Sequence, residues 1–413
     1  MSAPFSNKMR RCIKCLLPET HETIGFDNSG LCNICSAIEN KSYINWESRL
    51  KDLDKLIQEY RGKYNYDCII PFSGGKDSTW TLYYLKKRYP EIRPLVVRFN
   101  HGFLRPLLKE NCDKVFRKLG VDVHDFTPNW NIVKRLMLQS LLEKGDFCWH
   151  CHTGIFAYPM QVAIKEKVPL IFWGEPSAEY TAYYSYDSPE EVDEERFNRY
   201  INLGISADDM LIRLDGILED RDVEPFRYPS IRDLRNLNYR SVCLGSYIPW
   251  DVKKQVEIIK EDLGWKGDVV ENVPEDYDYE KIECWMQGVR DYIKYLKRGY
   301  SRPSHLSAID LRNKRISKED AIEQIKKFEG KKPHSLYIFL DYIGISEEEF
   351  NNIVKSHVVS PWEPNIEELE IGKKTADYDK WLKGNGLNRE ESDLQIKNFN
   401  LNCSTCDSNN SCQ

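Results

Sequence analysis

The sequence predicts an α/β protein with a doubly wound parallel sheet. Short apolar segments alternate with amphipathic ones between residues 66 and 173, and the first apolar segment runs into a glycine-rich turn that opens a helical pattern. Short strands that are buried on both faces and separated by helices are typical of such sheets. Two further features extend the prediction: a four-cysteine knuckle precedes the sheet, and helical patterns dominate the chain after it.

The alternation defines the elements of this sheet in order. Strands are predicted over 67–71, 94–100, 121–126 and 170–173, and helices over 79–88, 104–119, 130–142 and 155–167. Ligands of doubly wound sheets bind at the carboxyl ends of the strands. The candidate binding loops are therefore 71–78, 98–102 and 174–179.

The loop after the first strand, residues 71–78, has the sequence PFSGGKDS. Adjacent Gly74 and Gly75 allow a tight turn that aims several backbone N–H groups into one concavity, and the following helix adds its positive end. A Walker loop would need glycine at position 70 and serine or threonine at 77, but the chain has Ile70 and Asp77. The pattern predicts a phosphate-binding loop of another kind. A glycine-rich turn with an N-capping Asp or Ser and no ligand is the alternative.

Each polar residue of this loop has an expected role. The pyrophosphate cradle consists of Ser73, Gly74, Gly75 and Ser78. Lys76 neutralises phosphate charge, and Asp77 suits a Mg²⁺ ion or its waters. The segment SGGKDS resembles the SGGxDS signature of the PP-loop ATP pyrophosphatase superfamily, whose members cleave ATP between the α and β phosphates and transfer AMP onto a substrate oxygen. The resemblance implies ATP and Mg²⁺ as cofactors, with Lys76 and Asp77 as catalytic residues.

The same resemblance assigns nucleotide contacts to the other two loops. The contacts that it implies are Phe99, Asn100, His101, Gly174 and Glu175. The residues after the second strand would receive the adenosine portion. Glu175, or Glu179 beyond it, would assist Mg²⁺, and a solvated loop charge is the alternative for either glutamate.

Length, charge and cysteine content bound the function. A chain of 413 residues suggests two or three domains, and 41% hydrophobic with 30% charged residues is typical of a folded protein. The net charge of -6 argues against a nucleic-acid partner held by broad phosphate neutralisation. No apolar run approaches the roughly 18 residues of a membrane span, and residues 1–10 lack the apolar centre of a secretion signal. We therefore expect a cytoplasmic protein without a membrane partner, in which thirteen cysteines indicate metal or sulfur chemistry and not disulfides.

The N-terminal cysteines form two matched pairs. Cys12 and Cys15 are separated by sixteen residues from Cys32 and Cys35, which is within the spacing of a four-thiolate zinc site. Four thiolates close the coordination sphere, so the expected zinc is structural and replaces a core that a short segment cannot build alone. Reduced cysteines without a metal are the alternative.

A second cysteine group is expected at the rim of the sheet. Cys148 and Cys151 precede the helix that leads into the fourth strand, and Cys243 lies in a short apolar run that predicts another strand. Some sulfur-transferring PP-loop enzymes that modify tRNA carry a CxxC at this point and a third cysteine near a later strand, which together hold an iron-sulfur cluster. By this resemblance the three cysteines are catalytic and hold a possible 4Fe-4S cluster. A zinc site with His150 or His152, or thiols without a metal, are the alternatives.

The predicted domains follow from these segments. They are a knuckle (1–45), a nucleotide domain (60–265) with an insertion (183–240), a helical substrate or partner domain (266–390) and a tail (391–413) that carries Cys403, Cys406 and Cys412. The insertion is rich in charged and tyrosine side chains, which suit either a polyhydroxylated substrate or a solvated loop. Apolar residues at helical spacing over 282–296 predict a core helix, and the polar residues 297–305 could bind an anion.

The combination of motifs resembles the bacterial N-acetyl-sugar amidotransferases. The shared features are the knuckle, PFSGGKDST, CWHCHTG, GEPSAEY and WMQGVRDYIKYLKRGYSRPS. The family implies conversion of a sugar acetamido group into an acetamidino group in surface-polysaccharide, lipopolysaccharide and flagellar-sugar pathways. The implied acceptor is a nucleotide-linked sugar or a nonulosonic acid. No glutaminase motif is recognisable, so ammonia is expected from a separate glutaminase or channel subunit.

Two other functions stay open on the sequence alone. The second cysteine group suggests a sulfurtransferase of the same fold that makes a thioamide on the sugar or, less in keeping with the acidic balance, thiolates tRNA. A nonenzymatic alternative is a zinc-dependent assembly protein that binds nucleotide and recruits a glutaminase. Pyrophosphate release that requires an acetamido sugar separates the enzyme from the assembly protein.

Overall fold

The computed structural model describes residues 9–39, 44–179, 181 and 186–373. Cys403, Cys406 and Cys412, and with them the expected tail, lie outside the described residues. The same is true of positions 374–390, the end of the expected helical domain.

The centre of the protein is a five-stranded sheet in the order β3-β2-β1-β4-β5. Its strands are β1 (Cys68–Pro71), β2 (Pro94–Phe99), β3 (Asp122–Phe126), β4 (Leu170–Trp173) and β5 (Arg240–Cys243). Every neighbouring pair is parallel. The predicted fold class is confirmed: in chain order, a cysteine knuckle is followed by a parallel α/β sheet and then by a helical region.

Helices connect the strands and continue after them. The α-helices are α1 (Asn33–Glu39), α2 (Trp46–Tyr60), α3 (Lys76–Arg88), α4 (Pro106–Leu119), α5 (Trp130–Lys144), α6 (Trp149–Glu166), α7 (Glu194–Arg196), α8 (Ala207–Arg213), α9 (Asp220–Val223), α10 (Ile231–Leu237), α11 (Val252–Leu263), α12 (Gln287–Arg298), α13 (Arg302–Arg312), α14 (Lys318–Phe328), α15 (Ser335–Ile343) and α16 (Glu347–Lys355). Within the described residues, no helix combines the length and apolarity needed to cross a bilayer.

Both faces of the sheet are buried. Along β1, Cys68 and Ile70 pack in one apolar cluster with residues of α3, α4 and α11, whereas Ile69 packs in another with residues of α6. Successive strand residues point to opposite faces, so a strand with helices on both sides must be apolar throughout. This explains why the strands appear in the sequence as short continuous apolar runs.

Helix α6 begins earlier than the sequence pattern predicts, at Trp149 instead of residue 155. Cys148 is therefore its N-cap, and Cys151 lies in its first turn. Trp149 is fully buried, and Gly154 lies so close to the ring of Phe99 that a Cβ would overlap it. Tertiary packing thus extends the helix through a segment without helical periodicity.

The segment between β4 and β5 is ordered where it is described. It forms short helices, α7 to α10, and contributes Val223 and Phe226 to an apolar cluster that also contains Phe99 and Trp149. Phe226 is fully buried. The insertion therefore packs on the start of α6 and on the end of β2.

The knuckle packs on the C-terminal helical region. Its four cysteines share an apolar cluster with Tyr300, which follows α12. The ring of His21 stacks on Tyr300 at 5.4 Å between centroids, and the Tyr300 hydroxyl donates to Glu22. Lys294 lies 3.5 Å from the same carboxylate. The N-terminal segment therefore supports the helix that carries part of the candidate site.

Candidate active site

The glycine loop lies at the switch point of the sheet. It follows β1, whose neighbours β2 and β4 are on opposite sides, and such crevices receive ligands in open α/β sheets. Gly74 has φ +87°, and a Cβ there would lie 2.7 Å from the Sγ of Cys112. A Cβ on Gly75 would overlap the carboxylate of Glu283. Both glycines are thus required by backbone conformation or close approach.

Side chains within and around the loop hold its backbone in place. The Oγ of Ser78 accepts from the N–H groups of Ser73 and Gly74, each at 3.3 Å. The N–H of Gly75 donates to Ser73 Oγ at 3.2 Å, and Trp265 Nε1 donates to the carbonyl of Gly74 at 3.1 Å. Successive N–H groups therefore converge beside the N-terminus of α3, the arrangement that binds phosphate groups.

Lys76 lies in a group of carboxylates. Its Nζ is 2.8 Å from Asp77 Oδ2 and 3.1 Å from Glu280 Oε2. Burial lowers the pKa of Lys76, but Asp77, Glu280 and Glu175 outweigh it and raise this pKa well above its usual value. Burial likewise opposes ionisation of Glu280, yet Lys76 and Arg302 hold the pKa of Glu280 well below its usual range. Lys76 is a charged lysine at physiological pH.

Asp77 and Glu175 fit a Mg²⁺ ion. The Oδ1 atom of Asp77 is buried and accepts no hydrogen bond from the described residues, a costly arrangement for a carboxylate without a cation. Burial and the neighbouring Asp77 raise the pKa of Glu175 well above its usual value. A divalent cation would relieve both effects, because carboxylate oxygens are preferred Mg²⁺ ligands and the ion's charge favours their ionised form.

A cavity of about 150 Å³ opens beside the loop. Its lining residues are Pro71, Phe72, Ser73, Asp77, Ser78, Val97, Phe99, Ile155, Phe156, Trp173 and Gly174. Phe156 and Trp173 stack at 4.3 Å between centroids. A Cβ on Gly174 would lie 2.8 Å from Thr81 Oγ1, so this wall needs glycine. The flat aromatic walls suit a purine base, with the phosphates extending toward the glycine loop.

Of the three residues expected to contact adenosine after β2, only Phe99 lines this cavity. Asn100 stabilises its own loop: its Nδ2 donates to Thr127 Oγ1, and its Oδ1 accepts from the N–H of Gly102. His101 is buried, and its Nδ1 accepts from the N–H of Phe103. Burial lowers the pKa of His101 to about 3, so its ring is neutral.

A second cavity, of about 310 Å³, contacts Lys76. Its lining residues are Lys76, Glu175, Val252, Tyr277, Tyr279, Glu280, Lys281, Arg290, Arg302, His305, Leu306, Ile309, Asp310 and Arg315. Lys76 and Glu175 belong to the loops after β1 and β4, whereas most of the other residues come from the helical region. A larger cavity, of about 700 Å³, lies between residues 269–276 and α14, and it contains none of the predicted site residues. Of these three cavities, the 310 Å³ cavity is the one lined by residues of both the helical region and the glycine loop.

The structure groups the thiols differently from the sequence expectation. Cys148 and Cys151 lie near Cys284, which precedes α12, and burial together with these neighbours raises the pKa of the Cys148 and Cys151 thiols. Cys243 lies in a different apolar cluster. Its Sγ is 3.6 Å from Glu190 Oε1 and 3.7 Å from Arg196 Nη1.

The structure places Cys243 of the expected ligand set in a different apolar cluster from Cys148. Cys243 ends β5 with its side chain in the core, whereas the CxxC lies at the start of α6. A cluster held by all three cysteines therefore stays a prediction. Within the described part of the chain, one group of His, Cys, Asp and Glu residues brings its ligand atoms close enough together for a single metal ion, and it is the N-terminal one.

That group consists of Cys12, Cys15, Cys32 and Cys35, whose sulfurs all lie within 4.8 Å of one another. All four are buried. The Sγ of Cys12 accepts from the N–H groups of Cys15 and Cys32, at 3.5 and 3.3 Å, as in metal knuckles. The residues fit a four-thiolate metal ion, since unbound thiols this close together repel one another once ionised.

A comparison with protein families finds a match in the C-terminal part of the chain. Residues 271–382 match a family described as "LPS biosynthesis protein WbpG-like, C-terminal domain". An uncharacterized protein of Methanocaldococcus jannaschii is 28% identical over 117 residues, which are 27% of this chain and 41% of that protein. The match thus spans less than half of the relative.

Among solved structures, one similar chain is the U34-tRNA thiolase NcsA from Methanococcus maripaludis, described with its 4Fe-4S cluster. It is 16% identical, the alignment covers 76% of this chain and 88% of the thiolase, and the TM-score is 0.28. The segment that matches the lipopolysaccharide-biosynthesis family also forms part of the candidate site. Residues 277–315, which lie within that segment, supply most of the lining of the 310 Å³ cavity.

Proposed function

We propose that the protein is an ATP-dependent enzyme that adenylylates the carbonyl oxygen of a sugar acetamido group and replaces that oxygen with nitrogen, giving an acetamidino group. The acceptor is a nucleotide-linked sugar or a nonulosonic acid of a cytoplasmic pathway that makes surface-glycan sugars. Nitrogen comes as ammonia from a separate glutaminase. The N-terminal knuckle holds a structural zinc ion.

The observation that carries this proposal is the meeting of two cavities at the glycine loop. The aromatic cavity contacts Asp77, and the 310 Å³ cavity contacts the adjacent Lys76. A nucleotide base in the first cavity and an acceptor in the second would therefore approach each other at these two residues. The second cavity is formed largely by the segment that matches the lipopolysaccharide-biosynthesis family, which supports a sugar as the acceptor.

The loop residues act on the departing pyrophosphate. The amide oxygen attacks the α-phosphorus of ATP, and the bond from that phosphorus to the bridging oxygen breaks. The N–H groups of the loop, the Ser78 hydroxyl and the Lys76 ammonium stabilise the negative charge that develops on the leaving group. When bound at Asp77 and Glu175, Mg²⁺ supplies further neutralisation of the phosphate charge.

The carboxylates act on the second half of the reaction. Adenylylation turns a poor leaving group into AMP, so that ammonia attacks the former carbonyl carbon and AMP departs. The amidine product is protonated at neutral pH, and positive charge develops where the neutral amide was. Glu280, whose pKa Lys76 and Arg302 hold low against burial, lines the same cavity and stabilises this charge.

The experiment supplies candidate acetamido sugars with ATP and Mg²⁺, with ammonium and sulfide in separate reactions. Pyrophosphate release that requires both ATP and a sugar, together with a product mass that shows oxygen replaced by NH, is the expected result. Pyrophosphate release without an acceptor, or no release with neutral, acidic and nucleotide-linked acetamido sugars alike, would contradict the proposal. Oxygen-18 placed in the amide should appear in AMP.

Three neighbouring cysteines support a second candidate function, a sulfurtransferase that makes a thioamide on the sugar. Cys148, Cys151 and Cys284 are neighbours of Arg290, which lines the 310 Å³ cavity. Amide replacement by nitrogen does not require thiols at this position. A sulfur-containing product in the sulfide reaction, and none in the ammonium reaction, would favour this alternative.

A further inference from the structure

The 310 Å³ cavity carries more positive than negative charge. Five lysine and arginine residues line it against three carboxylates. Three of the cations have partners: Lys76 pairs with Asp77 and Glu280, Arg302 with Glu280 and Asp291, and Arg315 with Asp251 and Asp310.

The other two cations, Lys281 and Arg290, make no ion pair or side-chain hydrogen bond with any residue in the described ranges. Both are only partly exposed. Burial lowers the pKa of Arg290, but Cys148, Asp146 and Asp291 outweigh it and raise that pKa, so the guanidinium stays charged. Arg302 adds a buried Nε that has no hydrogen-bond partner among the described residues.

Partly buried guanidinium and ammonium donors without hydrogen-bond partners favour a ligand that supplies acceptor oxygens. The nearby Asp146 does not fill this role, because its Oδ1 accepts from the N–H of Cys148 and no ion pair joins it to Arg290. A guanidinium presents a planar fork of donors that matches the two oxygens of a carboxylate or phosphate. The unpaired donors of Arg290 and Lys281 therefore favour an oxyanion as the ligand.

We propose that Arg290 and Lys281 form an oxyanion subsite that binds a carboxylate or phosphate of the acceptor sugar. The inference rests on the proposed function for the identity of the acceptor and adds the two residues that bind its negative group. The source of the oxyanion is either the carboxylate of a sugar acid or the phosphate of a nucleotide-linked sugar. In both cases the negative group lies at Arg290 while the amide lies toward Lys76 and Glu175, which line the same cavity.

The test measures binding without ATP, so that it does not depend on turnover. The probes are N-acetylneuraminic acid, UDP-N-acetylglucosamine and the neutral N-acetylmannosamine, titrated calorimetrically into the full chain. We expect at least one of the two acidic probes to bind more tightly than the neutral one, and the acidic probe that binds more tightly distinguishes carboxylate from phosphate. Hydrogen bonds to charged groups contribute strongly to binding. Arg290→Gln should therefore raise the Kd of the acidic probe about tenfold or more and leave the Kd of the neutral probe unchanged.

Further variants keep the result interpretable. Arg290→Lys preserves the charge without the fork and should retain part of the affinity, and Lys281→Met should weaken the acidic probe without disturbing α12. Arg221→Gln, on an exposed arginine of the insertion, is the matched control and should behave as wild type. Equal binding of acidic and neutral probes, equal losses for both in Arg290→Gln and Lys281→Met, or no binding of either acidic probe would overturn the proposal. Pyrophosphate release with a neutral acetamido sugar alone would remove this inference and leave only the proposed adenylylation of an acetamido group standing.

Discussion

The carboxylate of Glu283 lies against the backbone of Gly75, so closely that a Cβ at position 75 would overlap it. The same carboxylate is 3.5 Å from the Oγ of Ser73. It therefore lies against the glycine loop, next to the concavity proposed to bind phosphate. A carboxylate and a phosphate compete for such a concavity because both carry negative charge and both accept hydrogen bonds.

This relationship predicts that Glu283 weakens nucleotide binding. Glu283→Gln removes the charge and keeps the size, and we expect the Kd for α,β-methylene-ATP to fall about three- to tenfold, as for loss of one like-charge contact in a partly exposed site. Calorimetry at two salt concentrations checks this. Glu275→Gln is the control, because Glu275 lies on the exposed rim of another cavity. Unchanged affinity in Glu283→Gln would show that the carboxylate moves away at no cost.

Asp77 should be essential for pyrophosphate release. Asp77→Asn leaves Lys76 its pair with Glu280 but removes the carboxylate whose buried oxygen lacks a partner. We expect a loss of about a hundredfold or more in release, on the scale of removing one transition-state stabilising group, with thermal unfolding close to wild type. Asp54→Asn, which removes a surface pair with Arg88, should release pyrophosphate normally. Normal release in Asp77→Asn would remove both the proposed metal contact and its role.

The parts of the fold that sequence predicts well are those with local causes. Strand β4, Leu170–Trp173, has the predicted bounds because an apolar run between turns can satisfy its backbone only in the sheet. The glycine loop can also be predicted from the sequence, because the positive φ of Gly74 is one that few other residues adopt. The start of α6 cannot be predicted in this way, because the burial of Trp149 and the contact of Gly154 with Phe99 depend on tertiary packing.

The residues of the candidate site likewise include some that the sequence predicts and others that it does not. The sequence identifies the loop residues Ser73 to Ser78, but it does not identify Trp173, which was predicted only as the end of a strand. Glu280, Glu283 and Arg290 were missed because no local pattern shows that the start of the helical region reaches the sheet. The apolar face of α12 was predicted as core, which it is. Hydrophobic periodicity does not indicate what the opposite face contacts.

The regrouping of the thiols gives a test that compares Cys284 with Cys243. Cys284→Ala should abolish any sulfur transfer, because it removes one of three neighbouring thiols. Cys243→Ala is the matched control, since Cys243 contacts Glu190 and Arg196 in another cluster. It should keep its turnover and lose about 1–2 kcal/mol of stability, as expected for a small buried truncation. Turnover lost in Cys243→Ala and kept in Cys284→Ala would restore the original grouping.

The knuckle should contribute stability through its metal. We expect about one zinc ion per chain by elemental analysis, as four-thiolate sites bind a single ion. Removal by a chelator, or Cys32→Ser, should lower the Tm, because the four cysteines pack with Tyr300. Tyr300→Phe should cost less, as it retains the ring that stacks on His21 and loses only the hydroxyl bond to Glu22. A metal-free protein with unchanged Tm would contradict the assignment.

His101 should make the protein acid-sensitive. Burial lowers the pKa of His101 from 6.5 to about 3, so the folded state keeps the ring neutral while the unfolded state binds a proton below pH 6.5. Above pH 6.5 both states are neutral at His101, so the free energy of unfolding does not depend on proton binding to this residue. It falls as the pH declines from 6.5 toward 3, because only the unfolded state binds the proton. Between pH 7 and 5 the loss is about 2 kcal/mol, on the basis of 1.36 kcal/mol per pH unit. His101→Asn cannot titrate, yet its side-chain oxygen can still accept from the N–H of Phe103. Urea unfolding at both pH values should therefore show a smaller acid-induced loss in His101→Asn than in wild type, and an equal loss would mean that His101 is already protonated in the folded protein.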